Sequence, residues 1–414
     1  MSGSIAAIAA YDGTGTQSYG TTDKNLSGVK SIFWNENDTD KYYVNGCSFS
    51  EVSNNKGAIT SPETIVFTFD NDADAINDLT LAIERKGILD GSNIAFVPVY
   101  YMLYFIERIE VCIGNQVICT INTTQLVKHF FENDAASIFL NYSTSDYQPY
   151  ATPATLNDDV SAQTIKLNIF RMLSNNGMDS SYLMCCANNQ TIQVKVYPQN
   201  FTQASFKSYA GLGNADVTLS DQQTFTFNLY ANKYSMTNAE RDFLRNQVIP
   251  KRTNITQYAE LTEKPDGNLT VGSKITINCD HFNLYTSNLY ILGLCESLTP
   301  GGFDVELYLN STSFSGVIPY FVSFAQPTQA AVPGLNIWNR FLYYRIPIAK
   351  NAHMKETDQD YVPFSKFDSI RVVLTCKNDI ILNNYRDFFD TLTVVAEGKC
   401  TALYQNGAVL FNNY

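Results

Sequence analysis

The chain has 414 residues, of which 45% are hydrophobic and 13% aromatic, with 26 Tyr and 26 Phe. That length exceeds one ordinary core, and the composition excludes a disordered chain and favours strand formers. Lys+Arg 28 against Asp+Glu 40 gives a net charge of -12, and no basic run exceeds the pair Lys251-Arg252, which disfavours direct binding to nucleic-acid phosphates.

The start, MSGSIAAIAAYDGTG, has no basic n-region and only a short apolar stretch, so it does not read as a secretory signal. Its glycines follow no strand and open no helix, which predicts a mobile arm over residues 1–30 rather than a phosphate cradle. Strand alternation begins with Thr64 to Phe69 and Leu79 to Ile83. Between them, Asp70 to Asp78 sets carboxylates at alternate positions. Ala75 and Leu81 stand where a calcium loop needs Gly and a bidentate Glu, so a solvated acidic loop is expected.

The apolar run Ile94 to Ile106 is too short to cross a bilayer and carries Pro98. It leads into IERIEVCIGNQVICTINTTQLVKHFF, Ile106 to Phe131. Ile109, Val111 and Ile113 share one face, Gly114-Asn115 suits a primed two-residue turn, and Gln116, Ile118 and Thr120 return on that face. Cys112 then pairs with Val117. Cys119 becomes a diagonal neighbour at roughly 7 Å, whereas a disulfide needs Cβ atoms about 3.8 Å apart. The nine cysteines are odd in number and irregularly spaced, so all are expected to be unpaired, as in a reducing compartment. Without a secretory route, the Asn-x-Ser/Thr triplets at Asn122, Asn141, Asn200 and Asn254 read as accidents of an Asn-rich composition.

Further strands are expected at Ile165 to Ile169, Ile192 to Val196 and Thr224 to Leu229. Helices are few: one follows the hairpin, and another runs from Thr237 to Gln247 with Thr237 and Glu240 in capping-box spacing. The adjacent Cys185-Cys186 lack redox spacing and are expected to pack in a short helix. Cys279 and His281 share one strand face, but two ligands do not make a zinc site. His129 and His353 have no nucleophile beside them, and neither G-x-S-x-G, a Walker loop nor H-E-x-x-H occurs. No catalytic, cofactor-binding or metal residue is therefore assigned, and the chain reads as a non-enzyme.

The second half repeats the order of the first. Leu79 matches Ile275 and Ile109 matches Val305, both at an offset of about 196 residues. Further on Leu167 matches Ile346, Ile192 matches Ile370, and the strand from Phe225 matches that from Leu392. The fold class expected is all-β: two tandem eight-stranded jelly rolls with a few short helices in loops. The division expected is an arm over 1–30, a first jelly roll over 31–236, a helical linker over 237–250 and a second jelly roll over 251–414. Segments 143–159 and 311–336 read as long loops.

Several segments resemble the double jelly-roll major capsid proteins of nucleocytoplasmic large DNA viruses. IAAIAAYDGTGTQSYGT with SIFWNENDTDKYYVNG is similar to that family's N-terminal arm and RIEVCIGNQVI to its IEIGGQ hairpin. IKLNIFRMLSNNGMDSSYLMCCANNQTIQVKV resembles its strand, loop and short-helix segment, and MTNAERDFL its inter-barrel helix. PFSKFDSIRVVL resembles its NFSRID strand entry, and LTVVAEGKCTALYQNGAVLFNNY its closing strand and tail. Two positions depart: Ser174-Asn175-Asn176-Gly177 replaces Arg-Asn-Pro-Gly, and Tyr404-Gln405-Asn406-Gly407 replaces the terminal Met-Ser-Gly motif. The resemblance implies a capsid protein in the virion, made and assembled in host cytoplasm. It implies a homotrimer of pseudo-hexagonal outline whose partners are neighbouring capsomers, minor capsid and penton proteins and internal-membrane proteins, without direct contact to nucleic acid. The alternative is a tandem jelly-roll carbohydrate-binding protein, because the fold also recurs in lectins. Assembly into trimers and shells separates the two.

Overall fold

In a computed structural model, the structure describes residues 44–70, 72–86, 89–90, 97–98, 103, 105–129, 150–151, 161–167, 170–172, 181–187, 189–199, 218–219, 224–245, 251–263, 270–294, 303–318, 341–348, 361–377, 392–405 and 407–412. The expected arm over 1–30 and His353 lie outside the described residues, as do the side chains of Cys47, His129 and Cys295.

In the first half, β1 (Val44–Val52), β3 (Ala75–Lys86), β9 (Ser161–Leu167) and β14 (Thr224–Met236) form an antiparallel sheet in the order β1-β14-β3-β9. β11 (Ser181–Tyr182) pairs further along β3. Facing it, β2 (Ile65–Thr68), β6 (Ile106–Ile113), β7 (Gln116–Asn122) and β12 (Ile192–Pro198) take the order β2-β12-β6-β7. Two outlying pairs, β4 (Leu89–Asp90) with β13 (Thr218–Leu219) and β5 (Val97–Pro98) with β8 (Tyr150–Ala151), also belong to this half.

The second half repeats the plan. β15 (Lys251–Glu263), β17 (Tyr285–Leu294), β20 (Phe341–Pro347) and β23 (Leu392–Gln405) are ordered β15-β23-β17-β20, with β21 (Val362–Pro363) on β17. β16 (Lys274–Asn278), β18 (Phe303–Leu309), β19 (Thr312–Ile318) and β22 (Ile370–Cys376) are ordered β16-β22-β18-β19. Among the described residues the two outlying pairs have no counterpart in the second half, and two further strands stand outside the shared plan: β24 (Ala408–Asn412) pairs with β23, and β10 (Phe170–Met172), from the first half, pairs with Thr253 to Ile255 of β15. Helix α1 (Thr123–His129) follows β7, and α2 (Asn238–Arg245) joins the halves.

Alternation explains why each half closes as a sandwich. β12, β18 and β22 bury every second residue, so one face of each meets the opposite sheet. In the first core Phe67, Leu79, Leu81, Ile83, Ile109, Val111, Val194, Phe227 and Leu229 are buried; in the second, Ile277, Leu289, Ile291, Val305, Leu307, Ile346, Val372 and Val394 are.

Pairing fixes the duplication residue by residue. Ile109 opposes Val196 as Val305 opposes Leu374, and Ile113 opposes Ile192 as Leu309 opposes Ile370, so those repeats hold in register. The match of Leu79 with Ile275 does not. Leu79 opposes Leu167, and the residue opposing Ile346 is Leu289, so β3 corresponds to β17, while Ile275 lies on β16, the counterpart of β2. Short alternating strands look alike in sequence, and only the neighbours tell them apart. Segment 311–336 is also corrected, because its start is strand β19; Ser-rich TSFSGVI carries little alternation to announce it. Of segment 143–159, only β8 is described.

The β6–β7 hairpin turns at Gly114-Asn115 as expected, with Gly114 at φ +59. Cys112 opposes Val117, but a bulge follows, so Val111 opposes Cys119 and Ile109 opposes Ile121. The bulge rotates the return strand by one residue, turning Cys119 and Ile121 inward in place of Thr120. Cys112, Cys119, Cys185, Cys186, Cys279, Cys376 and Cys400 are free and buried, and burial pushes the Cys119 and Cys279 thiols up to about 12.

Candidate functional site

The chemistry of this chain is concentrated where the two halves meet. In the first half, β14 alternates buried and half-buried positions and β3 does the same from Leu79 to Ile83, as one-sided sheets do. Their counterparts differ. Leu392, Thr393, Val394, Val395 and Ala396 of β23 are all buried, as are Asn288, Leu289, Tyr290, Ile291 and Leu292 of β17. The outer face of the second sandwich is therefore covered, and β7 and α1 cover it.

Lys128 of α1 reaches that face with its side chain 0% exposed, placing Nζ 2.7 Å from Glu397 Oε2 and 3.8 Å from the Tyr290 ring centre. A buried ammonium needs such company, since a charge taken out of water unpaired costs several kcal/mol. Beside it, Asn122 Nδ2 and Gln125 Nε2 donate to Glu260 Oε2 at 3.1 and 2.8 Å. Burial raises the Glu260 carboxyl above its usual 4.5, and these hydrogen bonds oppose the rise. Gln257 Nε2 donates to the Ile118 carbonyl at 3.0 Å, so β7 is tied to β15 as well. At the far end of the seam the Tyr404 hydroxyl accepts from Leu183 N, and Gln190 Oε1 accepts from Val409 N.

A second cluster fixes the linker helix. The expected solvated acidic loop is exposed at Asp70 and Asp72, but Asp74 is buried, and Arg241 of α2 donates to both its oxygens at 2.7 and 2.8 Å. Asp74 Oδ2 also accepts from Met236 N, and Arg245 Nε donates to the Cys185 carbonyl. Asp72, Asp74, Cys185, Arg241 and Arg245 line a cleft of about 170 Å³. Sequence reasoning missed this ion pair, although Arg241 stands one turn into the capped helix. Cys185 and Cys186 lie in a buried 3-10 turn, as expected. Cys279 and His281 do not share a face, because β16 ends at Asn278, leaving Cys279 in the core and His281 exposed in the turn. Among the described residues no three His, Cys, Asp or Glu side chains converge as metal ligands would.

The geometry is thus a structural joint between two copies of one sandwich. No protein-family model matches the chain, and no curated protein matches it in sequence. Solved structures do match. The PBCV-1 virus capsid aligns at 12% identity and TM-score 0.65, covering 90% of this chain and 97% of that chain. The fold is a double jelly roll. The double jelly roll extends to the Sputnik virophage, at 10% identity and TM-score 0.53 over 93% of this chain and 92% of that chain. It extends also to Sulfolobus Turreted Icosahedral Virus, at 9% and 0.52 over 85% and 90%.

Proposed function

We propose that this chain is a major capsid protein, a non-enzymatic block that tiles an icosahedral shell as a pseudo-hexagonal homotrimer. One observation carries the reading: the likeness to the PBCV-1 capsid runs through both barrels and nearly the whole of each chain. The locked seam supports it, because a rigid two-barrel block needs its charged contacts buried and paired. Three such chains in a ring give six similar lobes, an outline that packs a flat facet. The solved structures compared above are virus capsids and give no support to a sugar-binding role.

The division into arm (1–30), first barrel (31–236), linker (237–250) and second barrel (251–414) belongs to this reading. So do placement in the virion after synthesis and assembly in host cytoplasm, and contact with neighbouring capsomers, minor capsid and penton proteins and internal-membrane proteins. The net charge of -12 suits a shell held apart from its genome. Negative-stain microscopy of the purified protein tests the proposal: hexagonal particles or sheets are expected, and a glycan-binding monomer without such particles would refute it.

A further inference from the structure

The 3-10 turn Met184–Cys186 holds two thiols side by side. Cys185 Sγ lies 3.8 Å from Cys186 Sγ, and both residues are buried. Their spacing is not that of a C-x-x-C redox motif, yet adjacency permits another bridge, because a disulfide between neighbours closes a small ring through the amide that joins them. From 3.8 Å the sulfurs have to approach to about 2 Å, a change within reach of side-chain rotation. The pair is also accessible to a small reagent. Cys185 lines the cleft of about 170 Å³, and two other lining residues, Asp72 and Arg245, are exposed, so the cleft opens to solvent. A molecule of the size of water claims only about 30 Å³.

The amide between the two cysteines is a structural tie. Its carbonyl, that of Cys185, accepts from Arg245 Nε at 2.9 Å, and its N–H, that of Cys186, donates to the Leu183 carbonyl at 3.2 Å. Cys185 N donates to the Asp74 carbonyl at 2.9 Å, and Leu183 N to the Tyr404 hydroxyl at 3.1 Å. One turn thus meets the acidic loop of the first half, the linker helix and the second half. Neighbouring Cα atoms stand about 3.8 Å apart, against roughly 4.4 to 6.8 Å in ordinary bridges, so the ring closes only by twisting this amide. Its carbonyl then turns away from Arg245.

We propose that Cys185 and Cys186 form a reversible redox site: hydrogen peroxide oxidises the dithiol to a vicinal disulfide, which frees Arg245 and loosens the C-terminal end of α2. The sulfur of Cys185, on the cleft side, attacks one peroxide oxygen and breaks the O–O bond. It becomes a sulfenic acid, and its proton leaves with the departing hydroxide as water. The Cys186 sulfur then displaces the sulfenic hydroxyl, which takes the Cys186 proton as a second water. Two thiols and one peroxide give one disulfide and two waters. The hydrogen bond with Cys186, and burial, hold the Cys185 thiol well above its usual 9.0, so the pair rests as a dithiol until an oxidant is sustained. Strain in so small a ring makes the bridge easy to reduce, and a thiol reductant restores the resting state. The site acts within one chain and does not depend on the capsid reading.

Mass spectrometry of the full chain tests it. After hydrogen peroxide, denaturation and alkylation, the peptide carrying Cys185 and Cys186 should take up neither alkyl group and be lighter by two hydrogens, and dithiothreitol should restore both alkylation sites. Hydrogen exchange on the same samples should show the amides of residues 242–245, at the end of α2, exchanging faster in the oxidised protein and slowing again after reduction. Cys186→Ser should abolish that response. Should this variant not fold, the wild type before and after dithiothreitol makes the same comparison. A peptide that stays fully alkylated, gains oxygen without a bridge, or bridges to a different cysteine would overturn the site. A bridge that leaves exchange at 242–245 unchanged would overturn the release of α2.

Discussion

The two barrels share strand order, register and core, yet the same sheet is one-sided in the first and buried on both faces in the second. β14 runs Phe225, Phe227, Leu229 into the core with half-buried residues between, whereas β23 buries Leu392 to Ala396 without a break. Strand order and inward pattern set the barrel; the outward residues set what each barrel touches. Tyr258, Glu260 and Tyr290, on the face that β7 and α1 cover, hold by strand pairing the positions that Phe49, Glu51 and Thr80 hold in the first barrel, where Phe49 is exposed. Duplication thus yields two barrels of one plan whose outer faces meet different surroundings.

Breaking the closed joint should have the largest effect. Lys128→Ala leaves the Glu397 carboxylate, only 13% exposed, without its ammonium and should cost about 3 kcal/mol in denaturant unfolding. Replacing both, Lys128→Met with Glu397→Leu, should recover most of that loss. A Lys128→Ala protein as stable as the wild type would mean that the seam is not what holds the barrels together.

Next comes Gly398, where an added Cβ would meet the Tyr285 carbonyl oxygen at 2.5 Å. Its counterpart by pairing is Lys233, which carries a full side chain. Gly398→Ala should therefore lose about 1 to 3 kcal/mol, since backbone has to move. Equal thermal melting of Gly398→Ala and wild type would contradict the close approach.

The hairpin turns offer a matched pair. Gly114 at φ +59 makes Gly114→Val cost about 1 to 3 kcal/mol. The corresponding turn of the second barrel holds Asn310 at φ 48 and Ser311 at φ 66, so Ser311→Gly should stabilise by about 1 kcal/mol. Opposite signs at the two turns, read by thermal unfolding, would confirm that both are primed.

The smallest effect is at Glu260. Its carboxyl is raised by burial in the folded state, so the stability it contributes is fully present below the ordinary 4.5 and is lost as pH rises through the folded value. Glu260→Gln should remove that decline, leaving a flatter stability profile above 4.5 and no loss at neutral pH. A slope identical to wild type would place Glu260 in water.

Much of the fold was legible because alternation is explicit in strands such as IQVKV and IRVVL, and their offset held in register. The Leu79 match failed because LTLAI and ITINC carry the same alternation on non-equivalent strands, and nothing local reports which neighbour a strand will find. The bulge after Cys112 was invisible for a similar reason: one extra residue leaves composition unchanged. Asp74, Lys128 and Glu260 were hidden because their partners, Arg241, Glu397 and Asn122, lie at least 138 residues away. A carboxylate in a loop looks solvated until the chain that buries it is known.

The central claim is that three copies close into one block. Light scattering coupled to size exclusion, in near-physiological salt, measures this directly. The account predicts a single species of three times the 46.3 kDa chain mass. A stable monomer or dimer across the concentration range would contradict it.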